Sequence, residues 1–150
     1  MVKIIRTDSD NQDFIELVKC LDADLAIRDG NDHSFYSQYN KIDQIKYVVV
    51  AYENDKPTGC GALKEHKLDT VEIKRMFTSP ENRGKGIATK VLRELEIWAG
   101  ELSYANCVLE TGKQQPEAIE LYKKNGYKVT PNYGQYADMG NSVCFKKKLK

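Results

Sequence analysis

The chain has 150 residues, 30% of them charged and 41% hydrophobic, and a formal net charge of +1. That length and balance favour one soluble globular domain over residues 1–150, with enough chain to bury a core. The near-zero charge gives no global field to recruit nucleic acid or a membrane surface, and no apolar run is long enough to span a bilayer.

Lys3–Arg6 reads as a short first strand. Thr7 to Asp10 offers helix caps, and Phe14, Leu17, Val18, Leu21 and Leu25 then recur at helical spacing, predicting a helix that ends near Arg28. Asp32–Asn40 is a candidate second helix. Tyr47–Tyr52 (YVVVAY) is strongly β-prone, and a turn at Asn54–Pro57 leads into a return strand over Thr58–Lys64. Val71–Thr78 is the next strand. A turn at Ser79-Pro80 and a basic, glycine-containing loop precede a helix from about Lys85 to Glu101, whose apolar face carries Ile87, Val91, Leu92, Leu95 and Trp98. Asn106–Glu110 is a strand. Pro116–Asn125 is a helix with proline in its first turn and Gly126 at its stop. Tyr127–Thr130 and Ser142–Leu149 complete a β-α-α-β-β-β-α-β-α-β-β order, a mixed sheet with helices on its faces.

The four cysteines, Cys20, Cys60, Cys107 and Cys144, form no CxxC pair, and the N-terminal MVKIIRTDSD lacks the apolar stretch of a signal peptide. Both features suit reduced thiols in a cytoplasmic protein. His33 and His66 stand near no ligand cluster, so no metal is expected.

The loop Arg83-Gly84-Lys85-Gly86-Ile87-Ala88 carries the strongest chemical signal. Two glycines let an anion approach the backbone, and the following helix turns its positive dipole end toward the same place. A diphosphate is the ligand this arrangement suits; an ordinary strand-to-helix turn is the alternative. The loop is not a P-loop, because no Gly-Lys-Ser/Thr follows, and Thr89 occupies the third glycine position of a dinucleotide fingerprint.

Two motifs together give the chain a family resemblance. Arg83-Gly84-Lys85-Gly86-Ile87-Ala88 matches Arg/Gln-x-x-Gly-x-Gly/Ala after a central strand. Ala118-Ile119-Glu120-Leu121-Tyr122-Lys123-Lys124-Asn125-Gly126-Tyr127 matches a later helix reading A-x-x-L-Y-x-x-x-G-Y/F, and Leu109-Glu110-Thr111-Gly112 with Gln115-Pro116-Glu117-Ala118 is typical of bacterial members. In these residues the chain resembles the GNAT superfamily of acyl-CoA-dependent N-acyltransferases, specifically over Val48–Tyr127. The resemblance implies the GNAT fold: an α/β (α+β) domain with a central, mixed, mostly antiparallel twisted sheet, splayed to hold coenzyme A and flanked by about four helices. It implies transfer of an acetyl group from acetyl-CoA to a primary amine, on a small molecule or a protein, by direct attack in a ternary complex. A non-catalytic acyl-CoA sensor is the alternative. It also leaves a homodimer, paired through C-terminal strands, among the expectations.

Residue roles follow from the same resemblance. The amides of Arg83, Gly84, Lys85, Gly86, Ile87 and Ala88 would hold the pyrophosphate, with the Lys85 side chain as an extra contact. The backbone of Met76, Phe77 and Thr78 would pair with the pantetheine arm, where the sheet splays after Thr78, and an amide there would polarise the thioester carbonyl. Gln115 is a further cofactor contact. Tyr122 would protonate the departing thiolate; a packing tyrosine on an amphipathic helix is the alternative. Glu72 would deprotonate the amine, or else pair with Lys74 or a neighbouring lysine. Strand alternation puts Glu72, Lys74, Met76 and Thr78 on one face. Asp29, Phe35 and Tyr36, in and after the acidic connection that follows the first helix, are candidate acceptor contacts; a solvated acidic cap with helix N-terminus charges is the alternative. Tyr133–Tyr136 either covers the same cleft or is a plain surface loop.

Overall fold

The computed structural model describes residues 1–32 and 45–149. Among the described residues, seven strands form one sheet: β1 (Val2–Thr7), β2 (Tyr47–Glu53), β3 (Lys56–Lys67), β4 (Thr70–Thr78), β5 (Asn106–Gly112), β6 (Lys128–Thr130) and β7 (Ser142–Lys148), in the order β1-β2-β3-β4-β5-β7-β6. The described residues include three α-helices: α1 (Gln12–Asp29), α2 (Ile87–Glu101) and α3 (Pro116–Lys124). The helix expected over Asp32–Asn40 lies outside the described residues except for Asp32, which closes a 3-10 turn at Gly30–Asp32. No helix among the described residues is long and apolar enough to cross a membrane.

Local chemistry accounts for most boundaries. Asn11, rather than Thr7 to Asp10, caps α1: its side chain accepts from the Phe14 amide at 2.9 Å. The β2–β3 turn is tighter than expected. Asn54 and Asp55 both take positive φ, 53° and 64°, and Pro57 is already in the strand, paired with Tyr52 across a bulge.

The apolar periodicities seen in the sequence build a core on each side of the sheet. On one face, Phe14, Leu17, Val18 and Leu21 of α1 pack over Val48, Val50, Cys60, Ala62 and Phe77. On the other, Ile87, Val91, Leu92, Leu95 and Ala99 of α2 meet Val71, Ile73, Leu109 and Phe145. Phe14, Leu92 and Phe145 are fully buried, each stabilising the fold by roughly 1.5–3 kcal/mol relative to exposure.

Two irregularities in the sheet shape the site. The pairing of β4 with β5 is parallel and short: Thr70, Val71 and Glu72 face Asn106, Cys107 and Val108, and beyond that the strands part. The splay therefore begins after Glu72, six residues earlier than the position after Thr78 that the sequence suggests. The second irregularity is a bulge. Lys74 pairs with Ala62 and Phe77 with Cys60, so Arg75 and Met76 together oppose Gly61. Arg75 has φ of 58°, a sparsely populated region for a residue with a side chain.

The bulge resets the alternation of β4. Glu72 and Lys74 share the α1 face as expected, but Met76 turns to the α2 face. A Cβ at Gly61 would lie 2.5 Å from Met76 Sδ and 2.8 Å from Leu95 Cδ1. Phe77 returns to the α1 face, and Arg75 reaches Asp22 on α1. One extra residue in a period-two strand exchanges the faces of everything after it.

Candidate active site

Two recesses meet where β4 and β5 part. Leu21, Met76, Gln115, Ala118 and Tyr122 line both. One, of about 310 Å³, runs past the end of β4 to the loop before α2, reaching Phe77, Thr78, Arg83, Gly84, Gly86, Ile87 and Ala88. The other lies beside the end of α1 and takes in Asp29, Glu72, Lys74, Glu110 and Tyr136.

The loop has the backbone that an anion site needs. Gly84 and Gly86 take φ of 82° and 80°, and no described residue lies within 4 Å of the space a Cβ would fill. Gly86 is also the left-handed N-cap of α2 and makes no side-chain cap. Among the described residues, no N–H from Gly84 to Thr89 donates to a protein acceptor, so the loop and first helical turn present unpartnered donors beside the recess. The Arg83 side chain folds back instead: Nε donates to the Thr78 carbonyl at 3.0 Å, and the guanidinium sits 5.8 Å from the Phe77 ring centroid. Lys85 Nζ lies 3.3 Å from Glu53 and 3.4 Å from Asn82, and the residue lines neither recess.

Tyr122 stands at the junction. The spacing of α3 turns it inward, where it is 6% exposed and its ring meets Tyr127 and Phe145 at centroid distances of 5.8 and 6.0 Å. Among the described residues its hydroxyl has no hydrogen-bond partner. Burial, reinforced by the Glu110 charge, pushes its pKa up, so it stays protonated at neutral pH. Gln115, the residue preceding α3, lines both recesses, and its side chain makes no cap.

The second recess holds paired carboxylates. Tyr133 donates to Glu72 Oε2 at 2.7 Å, and Lys74 Nζ lies 4.0 Å from Glu72 Oε1. Burial lowers the Lys74 pKa, while Glu72 opposes the shift. Ser142 donates to Glu110 Oε2 at 2.8 Å. Burial pushes the Glu110 carboxyl up to about 7, against the Ser142 hydrogen bond and the Lys74 charge. The 3-10 turn Gly134–Tyr136 brings the buried Tyr136 into the same recess, with its ring 5.8 Å from that of Tyr133. The Tyr133–Tyr136 segment is thus a wall of the cleft and not a plain surface loop.

Of the sequence candidates, Glu72, Met76, Phe77, Thr78, Arg83, Gly84, Gly86, Ile87, Ala88, Gln115, Tyr122 and Asp29 all line this double cleft. Phe35 and Tyr36 lie outside the described residues. Glu110 and Ser142 are site residues that the sequence does not single out. The available signal was a carboxylate at an alternate position near the end of an otherwise apolar strand, in NCVLETG.

A mixed sheet parted at its centre, with an amide-rich helix start at one end of the gap and carboxylates at the other, defines an acyltransferase architecture. The chain belongs to the GNAT acetyltransferase family: the model of the acetyltransferase (GNAT) domain matches residues 44–129. It is similar to an IAA acetyltransferase of Azospirillum brasilense, at 31% identity over 153 aligned residues covering 97% of each chain. It is also similar to the uncharacterized N-acetyltransferase YsnE of Bacillus subtilis, at 38% identity over 101 residues covering 66% of this chain and 67% of that one. A crystal structure from Klebsiella pneumoniae, assigned as an acyl-CoA N-acyltransferase, superposes with a TM-score of 0.84 at 26% identity, covering 100% of this chain and 99% of that one. The fold is shared with the PaiA N-acetyltransferase of Thermoplasma acidophilum, solved in complex with coenzyme A, at a TM-score of 0.73 and 19% identity over 99% of each chain. The chain is an acyltransferase of this family.

Proposed function

We propose that residues 1–150 act as a single domain that transfers an acetyl group from acetyl-CoA to a primary amine, with both substrates bound at once. The observation that carries this reading is the meeting of the two recesses at Tyr122, one ending in unpartnered amides and the other in carboxylates. A solved neighbour of the same fold contains coenzyme A, and another, from Elizabethkingia anophelis, contains acetyl-CoA.

In this reading the amides of Gly84 to Ala88 hold the pyrophosphate, with the dipole of α2 behind them, while the Arg83 amide is turned to the Pro80 carbonyl. The edge of β4 freed beyond Glu72 offers backbone groups from Met76 to Thr78 to the amide-bearing pantetheine arm, and Gln115 borders its path. A β4 amide beside the Arg75 bulge faces the thioester carbonyl and stabilises charge developing on its oxygen. Tyr122 gives its proton to the leaving sulfur. The recess carboxylates, Glu72 among them, attract the acceptor ammonium, one of them takes its proton, and Asp29 adds negative charge at the mouth.

Incubation with acetyl-CoA and a panel of primary amines, with free thiol detected, tests the proposal. Amine-dependent thiol release together with coenzyme A binding by calorimetry is the expected result. Tight coenzyme A binding with no thiol release across the panel would instead indicate an acyl-CoA sensor.

A further inference from the structure

Two carboxylates front the acceptor recess, and their surroundings differ. Glu72 has both oxygens engaged: Oε2 accepts from Tyr133 and Oε1 faces Lys74. It is 6% exposed. Glu110 takes one hydrogen bond, from Ser142 to Oε2, and its Oε1 has no partner among the described residues. Glu110 also sits on β5 past the end of its pairing with β4, so the splay opens the recess directly in front of it. Across that recess stands Tyr122 on α3, close enough for the Glu110 charge to raise its pKa.

Resting on the acyl-transfer reading above, we infer that Glu110, not Glu72, is the general base that takes the proton from the acceptor ammonium. Glu72, held by Tyr133 and Lys74, is a positioning residue that presents its side chain beside the incoming cation.

The proton balance closes with these groups. The ammonium gives one proton to a Glu110 oxygen and becomes a free amine. Its nitrogen attacks the thioester carbonyl, a C–N bond forms and the C–S bond breaks. The sulfur leaves with the electron pair and takes the Tyr122 hydroxyl proton. The nitrogen's second proton restores Tyr122, and Glu110 releases the first to solvent. The products are the amide, the free thiol and one proton.

The charged and titratable groups facing Glu110 are Glu72 and Lys74 from β4, Asp29 from α1, Tyr122 from α3, Tyr136 from the 3-10 turn and Cys144, its partner across the sheet, from β7. The nearby acids and burial raise its proton affinity, while Lys74 and Ser142 lower it. The result is a base poised near neutrality, where proton acceptance is most useful to a reaction at that pH.

The test compares Glu110→Gln and Glu72→Gln with the unaltered protein, using acetyl-CoA and two acceptors. One is phenethylamine, or the fastest alkylamine of the panel, which arrives protonated. The other is phenylhydrazine, which is similar in size and already unprotonated at neutral pH. Glu110→Gln is expected to lower alkylamine turnover roughly 100-fold or more, flatten the near-neutral limb of its pH profile, and change phenylhydrazine turnover only about threefold. Coenzyme A affinity should be unchanged. An infrared difference titration without substrate should show a carboxyl protonating near neutrality that is lost in Glu110→Gln and kept in Glu72→Gln. Equal losses on both acceptors, retained alkylamine turnover, or loss of the limb in Glu72→Gln alone would overturn the assignment. Thiol release by the unaltered protein with none of the amines would overturn acyl transfer itself, and the base assignment with it. That outcome is distinct from an active enzyme indifferent to Glu110.

Discussion

Arg75, at the bulge of β4, forms an ion pair with Asp22 on α1, joining the strand's irregularity to the helix that covers it. The Arg75 side chain is 2% exposed and its Nε has no hydrogen-bond partner among the described residues, so Asp22 is the charge that makes its burial tolerable. Asp22→Ala would leave a buried guanidinium uncompensated. Because Asp22 itself is half exposed, the expected loss is about 1–3 kcal/mol, at the lower end of what breaking a buried pair costs. In a chain of this size that lowers Tm by several degrees, measured by calorimetry or circular dichroism, with roughly 2–4 °C lost per kcal/mol.

The loop before α2 should answer to backbone geometry and not to its lysine. Gly86→Ala meets no neighbour, yet an L-residue at φ near 80° is strained by about 1–2 kcal/mol. Relief of that strain would turn the amides, so coenzyme A affinity measured by calorimetry should fall tenfold or more. Lys85→Ala removes a side chain already engaged with Glu53 and Asn82, and should change that affinity by about twofold at most.

Tyr122→Phe removes one oxygen from a buried, ring-packed position. Coenzyme A affinity should hold, and kcat should fall roughly 100-fold with a good acceptor, as expected for a lost general acid. Thiol release in a stopped assay, paired with calorimetry, separates the two quantities. Unchanged kcat would remove Tyr122 from the reaction.

Stability should depend on pH through Glu110. Its folded pKa, near 7, lies above the ordinary carboxylate value of 4.5, so the folded state binds more protons between those limits. The associated stability is fully present below about pH 4.5 and is lost as pH rises toward 7 and beyond. Allowing for partial exposure, the loss is on the order of 1–3 kcal/mol. Urea midpoints measured at about pH 5 and about pH 8 should differ more in the unaltered protein than in Glu110→Gln.

Periodic and local signals made most of the fold legible in the sequence. The 3.6-residue spacing of Phe14 to Leu25 and of Ile87 to Trp98 located α1 and α2, and Pro116 with Gly126 bracketed α3. The Arg83–Ala88 loop and Tyr122 were legible because backbone-binding glycines and a motif tyrosine announce themselves locally. What escaped depends on pairing across the sheet. The bulge at Arg75 arises from register with β3, and no local pattern in VEIKRMFT marks the extra residue; hence Met76 was expected on the wrong face. The splay begins earlier than the sequence suggests for the same reason, since where β4 leaves β5 is decided by both strands. Glu110 stayed silent because its meaning comes from Ser142, 32 residues away, and from the gap that the parted strands open in front of it.

The three residue pairs joining β4 to β5 are also a mechanical matter. Among the described residues, the sheet's first four strands and its last three pair with each other only across Thr70–Glu72 and Asn106–Val108, so the seam between the halves is short for so wide a sheet. A ligand lying along the freed edges would act as a suture, lengthening that seam by its own amides. Amide protons of β4 beyond Glu72 should then exchange with solvent at rates that report occupancy of the cleft, making the sheet itself a gauge of whether its gap is filled.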